Sequence, residues 1–235
     1  MKQNETMLNT PHNFKSIYVD ETDIELAGDD HLFTGIETPI RPDAFELSDS
    51  EKIHNIEHHF REIMHTLGLD LSDDSLSGTP LRVAKMYVKE IFSGLNPSNK
   101  PKIALFENKY NYNQMLVEKD ITLFSNCEHH FVPIYGKAYI GYISNGNIIG
   151  LSKLNRIVQY YSKRPQVQER LTIQIGRELQ DILGTKDVAV LVDAKHMCVY
   201  TRGINDTNSS TVTSFYDGKF LEEHTKNEFH KYISL

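Results

Sequence analysis

At Pro101 the apolar spacing of the chain changes period, and that change does most to limit the folds open to it. Before it, apolar residues recur every three or four positions. "SDSEKIHNIEHHFREIMHTLGL" reads as a helix with Ser48 and Glu51 placed as a capping box. Ile53, Ile56, Phe60, Ile63 and Leu67 form its apolar stripe. A second helix is predicted over "TPLRVAKMYVKEIFSGL", where Thr79 is a natural N-cap, Pro80 suits the first turn and Gly94 marks the end. After Pro101 the residues alternate. "MLVEKDITLFSN" and "FVPIYGKAYIGYIS" read as strands, with Asn145-Gly146 a turn before "NIIGL". Helical spacing returns in "SKLNRIVQYYSK" and in "PQVQERLTIQIGRELQDILG", the latter opened by Pro165 and closed by Gly184. "DVAVLVDAKHMCVYTRG" and "STVTSFY" are strands again, ahead of a short terminal helix near "TKNEFHKYI". Helices that bracket a mainly antiparallel sheet make an α+β fold.

Three regions follow. Residues 1–46 lack a sustained period and are rich in Asp, Asn, Thr and Pro, so they read as a flexible or loosely docked arm. Residues 47–100 form an N-terminal helical segment, and residues 101–235 an α+β region that contains both cysteines. The arm's composition predicts that deleting about the first 40 residues is tolerated. A net charge of −7 argues against general affinity for nucleic acid or an anionic membrane. No stretch has the length of a membrane span, and "MKQNETMLNTPHNF" lacks the apolar core of a secretory signal, which makes the expected location cytoplasmic. The glycine patterns of a P-loop or a dinucleotide site are absent from the sequence.

The tetrapeptide EHHF occurs twice, at Glu57–Phe60 and at Glu128–Phe131. The first copy also reads H-x-x-E-H from His54 to His58, a spacing that can hold zinc on one helix face with Glu57 as base, as in an inverted zinc peptidase. No third ligand is nominated nearby, and an amphipathic helix with a histidine-rich polar side accounts for the same residues. The second copy lies in "NCEHHF". The chain has two cysteines, Cys127 and Cys198, and each stands beside histidine. Cys127 and His130 have C-x-x-H spacing, and "HMC" would put His196 and Cys198 on one face of a strand. Cys127, His130 and Cys198 make three zinc ligands and leave the fourth position for water, as in a catalytic site. Such a metal can bring its water towards neutrality. His129 and His196 then remain for proton transfer or substrate contacts, unless one of them closes a structural site instead.

Around this group the sequence offers cations. "GLSKLNR" puts Ser152, Lys153 and Arg156 at a helix start, where an anion site and an ordinary solvated basic face are both possible readings. Arg202 in "TRG" follows Cys198 on the same predicted strand and so falls near the metal. Gln168 and Glu169 open a helix, where a carboxylate can answer the dipole or accept from a base.

In their order and spacing, "CEHHF", "IGLSKLNRIVQ", "RPQVQERLT" and "HMCVYTRG" resemble the type I GTP cyclohydrolases, from about Thr79 to the C-terminal helix. The resemblance implies hydrolysis of GTP to 7,8-dihydroneopterin triphosphate and formate, the first step towards pterins and folate. It implies Zn²⁺ on Cys127, His130 and Cys198, with hydroxide attacking C8 of guanine. His129 would protonate the ring nitrogen and His196 assist near the ribose, with Ser152 close by. Glu169, helped by Gln168, would hold the guanine edge. Lys153, Arg156 and Arg202 would bind the triphosphate, joined by Arg82 and Lys85 from a neighbouring subunit. The family fold is of the tunnelling type, in which sheets join around a ring and two pentameric rings stack into a decamer. A zinc-stabilised nucleotide binder without activity is the remaining alternative.

Overall fold

The structure, a computed structural model, describes residues 35–235. The part of the expected arm that spans residues 1–34 lies outside the described residues. Gly35 and Ile36 offer their carbonyls to Arg170 Nε at 2.9 Å and Gln174 Nε2 at 2.9 Å, and Thr38 is buried. A deletion through residue 40 therefore removes two acceptors from buried donors, a cost that the composition did not reveal. It should lower Tm by about 5 °C or more, read by thermal melts, since a buried charged donor without a partner costs about 1–3 kcal/mol. An unchanged Tm would return these residues to the arm.

Ser48 and Glu51 form the capping box that their spacing predicts: Ser48 Oγ accepts from the Glu51 N–H at 3.3 Å, and the Glu51 carboxylate accepts from the Ser48 N–H at 2.8 Å. They open α1 (Asp49–Thr66). Its apolar stripe is only partly covered. Met64 is the buried side chain, while Ile56, Phe60 and Ile63 line an open apolar cavity of about 520 Å³. A single turn, α2 (Asp74–Ser77), precedes α3 (Thr79–Met86). Thr79 does not cap α3, because its hydroxyl accepts from Arg82 at 2.8 Å, and Gly78 takes the cap position instead. The helix widens into a π-helical turn at Tyr87–Ile91 and ends in a tight turn at Ser93–Leu95. There a Cβ on Gly94 would meet the Tyr160 carbonyl oxygen at 2.0 Å, so only glycine allows this approach.

The sheet lies beyond. Strands β1 (Leu105–Glu107) and β4 (Asn147–Ile149) form a small antiparallel ribbon. Strands β2 (Met115–Cys127), β3 (Pro133–Ile143), β5 (Pro165–Gln166), β6 (Val188–His196) and β7 (Thr211–Tyr216) build a five-stranded sheet in the order β5-β2-β3-β6-β7. Every pairing in it is antiparallel except β5 with β2. Helices α4 (Leu151–Ser162) and α5 (Gln168–Leu183) cover one face, where Leu154, Ile157, Leu171, Ile175 and Leu179 join Leu123, Ile134, Ile140 and Val190 in the main core. Gly184 closes α5 in the left-handed conformation at φ 63°, as expected of a C-cap glycine. After the one-turn α6 (Met197–Tyr200), the terminal α7 (Glu223–Ile233) packs Phe229, with Phe220, against Met115, Ile143 and Leu191. The α+β class is thus the observed one, with a helical segment preceding the sheet.

Two boundaries differ from the sequence reading, and both shape the site. Pro165 does not open a helix; it starts β5, which runs parallel to the end of β2 through the pairs Asn126–Pro165 and Cys127–Gln166. Nor does the β6 strand carry Cys198. Its last ladder pair with β3 is Ile134–His196, and β3 begins at Pro133, whose missing N–H cannot extend the ladder. The chain turns there into α6, so Cys198 and Arg202 lie on a helical turn and the loop after it.

Candidate metal centre

Strand β2 delivers Cys127 to the edge of the core and then reverses. The Cys127 N–H donates to Val132 O at 2.9 Å, the Phe131 N–H donates to Cys127 O at 2.9 Å, and Phe131 takes φ 54°. This tight turn swings His130 back beside the thiol, which is the bite that C-x-x-H spacing promised. From the other side, the end of β6 and the turn of α6 bring in Cys198. One ligand atom each of Cys127, His130 and Cys198 lies within 4.8 Å of the others, the single such group of three among the described residues. Three ligands of one tetrahedral zinc stand roughly 3.5–3.8 Å apart, so the group fits after a small contraction. Two thiols and an imidazole are zinc's favoured donors, and both thiols are unpaired. His129 and His196 stand outside the group of three.

The first EHHF copy has a different place. His54, His58 and His59 are exposed on α1, Glu57 pairs with Arg61 at 3.6 Å, and none of them belongs to a metal-capable group. Its Phe60 lines the same apolar cavity as Phe131 of the second copy. One copy packs; the other carries the donors.

Gln168 orders the neighbourhood. It is 1% exposed, and its amide nitrogen faces Val192 O at 3.1 Å, Thr211 O at 2.8 Å and Thr213 Oγ1 at 3.1 Å. Its amide oxygen must therefore face His196 Nε2, which it meets at 2.8 Å. His196 thus donates from Nε2 and keeps the Nδ1 lone pair. Gln168 was expected beside a base with Glu169; in the folded chain its amide is turned to the histidine instead. Glu169 is exposed on α5, and its charge reaches His196.

Burial holds the His196 imidazole below its ordinary 6.5, and the Glu169 carboxylate works against that shift. A histidine depressed in this way binds fewer protons folded than unfolded. Its stabilising contribution is complete above the unfolded pKa and is lost as pH falls through the folded one. Hence the Tm advantage of the wild type over His196→Gln, which keeps a donor for Gln168, should shrink as pH falls through and below the ordinary histidine range. A difference that stays constant as the pH is lowered would remove His196 as the titrating group. Burial also pushes the Cys198 thiol up, with Cys127 adding to the rise and Arg202 opposing it.

Arg202 comes to the centre as expected, though from a loop: it donates to His130 Nε2 at 2.8 Å. His129 Nδ1 lies 3.8 Å from Cys127 Sγ, and its Nε2 lies 3.9 Å from Glu128. The other expected cations stand elsewhere on the single chain. Arg82 donates to Ser75 O and Thr79 Oγ1, and Lys85 is exposed on α3. Ser152 and Lys153 sit in the first turn of α4, while Arg156 lines a polar cavity of about 370 Å³ with Lys89 and Lys163. The sequence reading passed over Glu128 and Arg170, which form an ion pair directly beneath the ligand turn. Only the burial of Arg170 on the inner face of α5 would have signalled it.

The ends of two inner strands gather two thiols and an imidazole, with two more histidines at hand, and define a metal-capable enzyme of the α+β class. The family model for GTP cyclohydrolase I matches residues 56–234. GTP cyclohydrolase 1 of Flavobacterium johnsoniae is 59% identical over 88% of this chain and 93% of its own length. GTP cyclohydrolase 1 of an Enterobacter species is 55% identical, and that of Escherichia coli 54%, each over 83% of this chain and 88% of the relative. The chain belongs to the GTP cyclohydrolase I family. The match begins at residue 56, well before Thr79, so it takes in the second part of α1.

Proposed function

We propose that the chain hydrolyses GTP to 7,8-dihydroneopterin triphosphate and formate, supplying pterin and folate synthesis. The observation that carries this reading is the convergence of Cys127, His130 and Cys198 in a chain of this family. Those three side chains would hold Zn²⁺, which when bound supplies a Lewis acid and an activated water near neutral pH. His129, the next residue to a ligand and partly exposed, would give a proton to the ring nitrogen that leaves C8. His196 would act near the ribose, where its Nδ1 lone pair can take a proton while Gln168 holds Nε2. Ser152 would contact the sugar. Glu169 would accept from the guanine edge, with Gln168 contributing through its hold on His196. Arg202, Lys153 and Arg156 would bind the triphosphate.

Arg82 and Lys85 would reach a neighbouring subunit's site in a homo-oligomer, a decamer of two pentameric rings. The spread of cations over one chain supports that arrangement, since Arg82 is engaged by Ser75 and Thr79 and Arg156 lines a polar cavity that contains none of the three metal-capable residues. No described helix is long and apolar enough to cross a membrane. Two unpaired thiols suit a reducing compartment, and we assign the chain to the cytoplasm, with no nucleic-acid or membrane partner.

Incubation with GTP, followed by ultraviolet absorbance and by released formate, tests the reading. Formate and a pterin spectrum are expected in equal amounts. GTP binding without formate would leave a zinc-stabilised nucleotide binder.

A further inference from the structure

The glutamate of the second EHHF has no part in the proposed chemistry, yet it is the best-held side chain of the ligand turn. Glu128 lies between Cys127 and the two histidines. Its carboxylate takes both arms of the Arg170 guanidinium, one through Oε2 and the other through Oε1 at 3.2 Å. Arg170 is 3% exposed at its side chain and Glu128 18%, so the pair is largely withdrawn from water. The Arg170 Nε donates to Gly35 O at 2.9 Å, which leaves the guanidinium little freedom to turn. The Glu128 N–H donates to Gln166 O at 3.0 Å, tying the same turn to β5. Gln166 in turn donates to Tyr161 O at 2.9 Å and to Gln174 Oε1 at 2.9 Å. Cys198, by contrast, arrives on a separate element and shares none of these ties.

The turn that carries Cys127 and His130 is thus braced against α5 from below, and its distance to Cys198 depends on that brace. A two-residue bite on a mobile turn would hold its metal less firmly, because each excursion of the turn strains two of the three bonds at once. Bidentate pairing fixes both the position and the rotation of the turn, which a single lysine contact would not. From this geometry we infer that Arg170, acting through Glu128, is a positioning residue for the metal centre. The inference rests on the proposed metal reading and adds a group that touches neither metal nor substrate. Groups bonded directly to a ligand side chain are worth about 10–100-fold in metal affinity, and a brace on the ligand turn is expected at the lower end of that range.

The test is zinc release from the intact oligomer into a colorimetric chelator, beside thermal melts of the same samples. The wild type is measured first: a chain holding well under one zinc overturns the metal reading itself, and this inference with it. With zinc present, Glu128→Gln and Arg170→Lys should each release it about 10-fold faster or more while remaining folded. Arg170→Lys keeps the charge and loses the fork, so it stays informative where Arg170→Ala fails to fold. The double variant should release zinc no faster than the worse single one, because both changes break one brace. Variants that melt lower yet release zinc at the wild-type rate would make the pair a fold contact only and overturn the inference.

Discussion

Replacing Cys127 or Cys198 by serine, or His130 by alanine, is expected to give a folded protein with at least about tenfold less zinc per chain and no measurable formate release. His129→Ala should keep its zinc and lose about 10²–10⁴ in turnover, the usual worth of a positioned general acid. The division follows from geometry. The ligand atoms of Cys127, His130 and Cys198 fall within 4.8 Å of one another, and His129, adjacent in sequence, is not among them. Its Nδ1 lies 3.8 Å from Cys127 Sγ, so what sets it apart is that it does not join the mutually close group that includes Cys198. The measurement is metal analysis of each purified variant beside single-turnover formate release. A His129→Ala protein as poor in zinc as His130→Ala would show that the centre closes with a fourth side chain.

How much of this was legible beforehand depends on how local the cause is. The capping box at Ser48 and the glycine cap at Gly184 are decided within a few residues, and both formed as their spacing required. The alternation of β2, β3 and β7 is also local, and those strands stand where it put them. Cys198 was different. Its strand should have run on by alternation, but the ladder stops because of a proline on another strand, Pro133, which only pairing reveals. Pro165 failed in the same way: it has the look of a helix start until β2 offers it a parallel partner. The stripe on α1 misled in the other direction, since period states which residues share a face and not whether anything covers them. The donor set survived these errors because Cys127, His130 and Cys198 depend on residue type and on where β2 and β6 end. Their setting did not survive. Gln168's grip on His196 and Arg170's on Glu128 join residues 28 and 42 positions apart, and no periodicity records such a pair.

Glu169→Gln should cost about 3 kcal/mol of transition-state stabilisation, roughly a hundredfold in kcat/KM for GTP, with zinc content unchanged. A carboxylate can accept from both the N1–H and the 2-amino group of guanine, whereas adenine offers neither donor. A site built on such an acceptor rejects the wrong base by leaving a desolvated charge without a partner, which can amount to about 10⁴–10⁵ in discrimination. GTP is therefore expected to turn over and ATP not, with ITP, which keeps N1–H but lacks the amino group, a poor substrate. On the single chain Glu169 is exposed, so the desolvation on which this selectivity depends has to come from the bound base and, in the proposed oligomer, from a neighbouring subunit. That adds a condition to the prediction: discrimination between GTP and ATP should fall in any variant that loses its oligomer. The competing account is that Glu169, in the first turn of α5, only answers the helix dipole. Glu169→Gln would then lose a few tenths of a kcal/mol of stability, about 0.3–1 at most, and keep its activity. Formate release from GTP, ITP and ATP by both proteins separates the two, and an active Glu169→Gln enzyme would leave base selection to some other group.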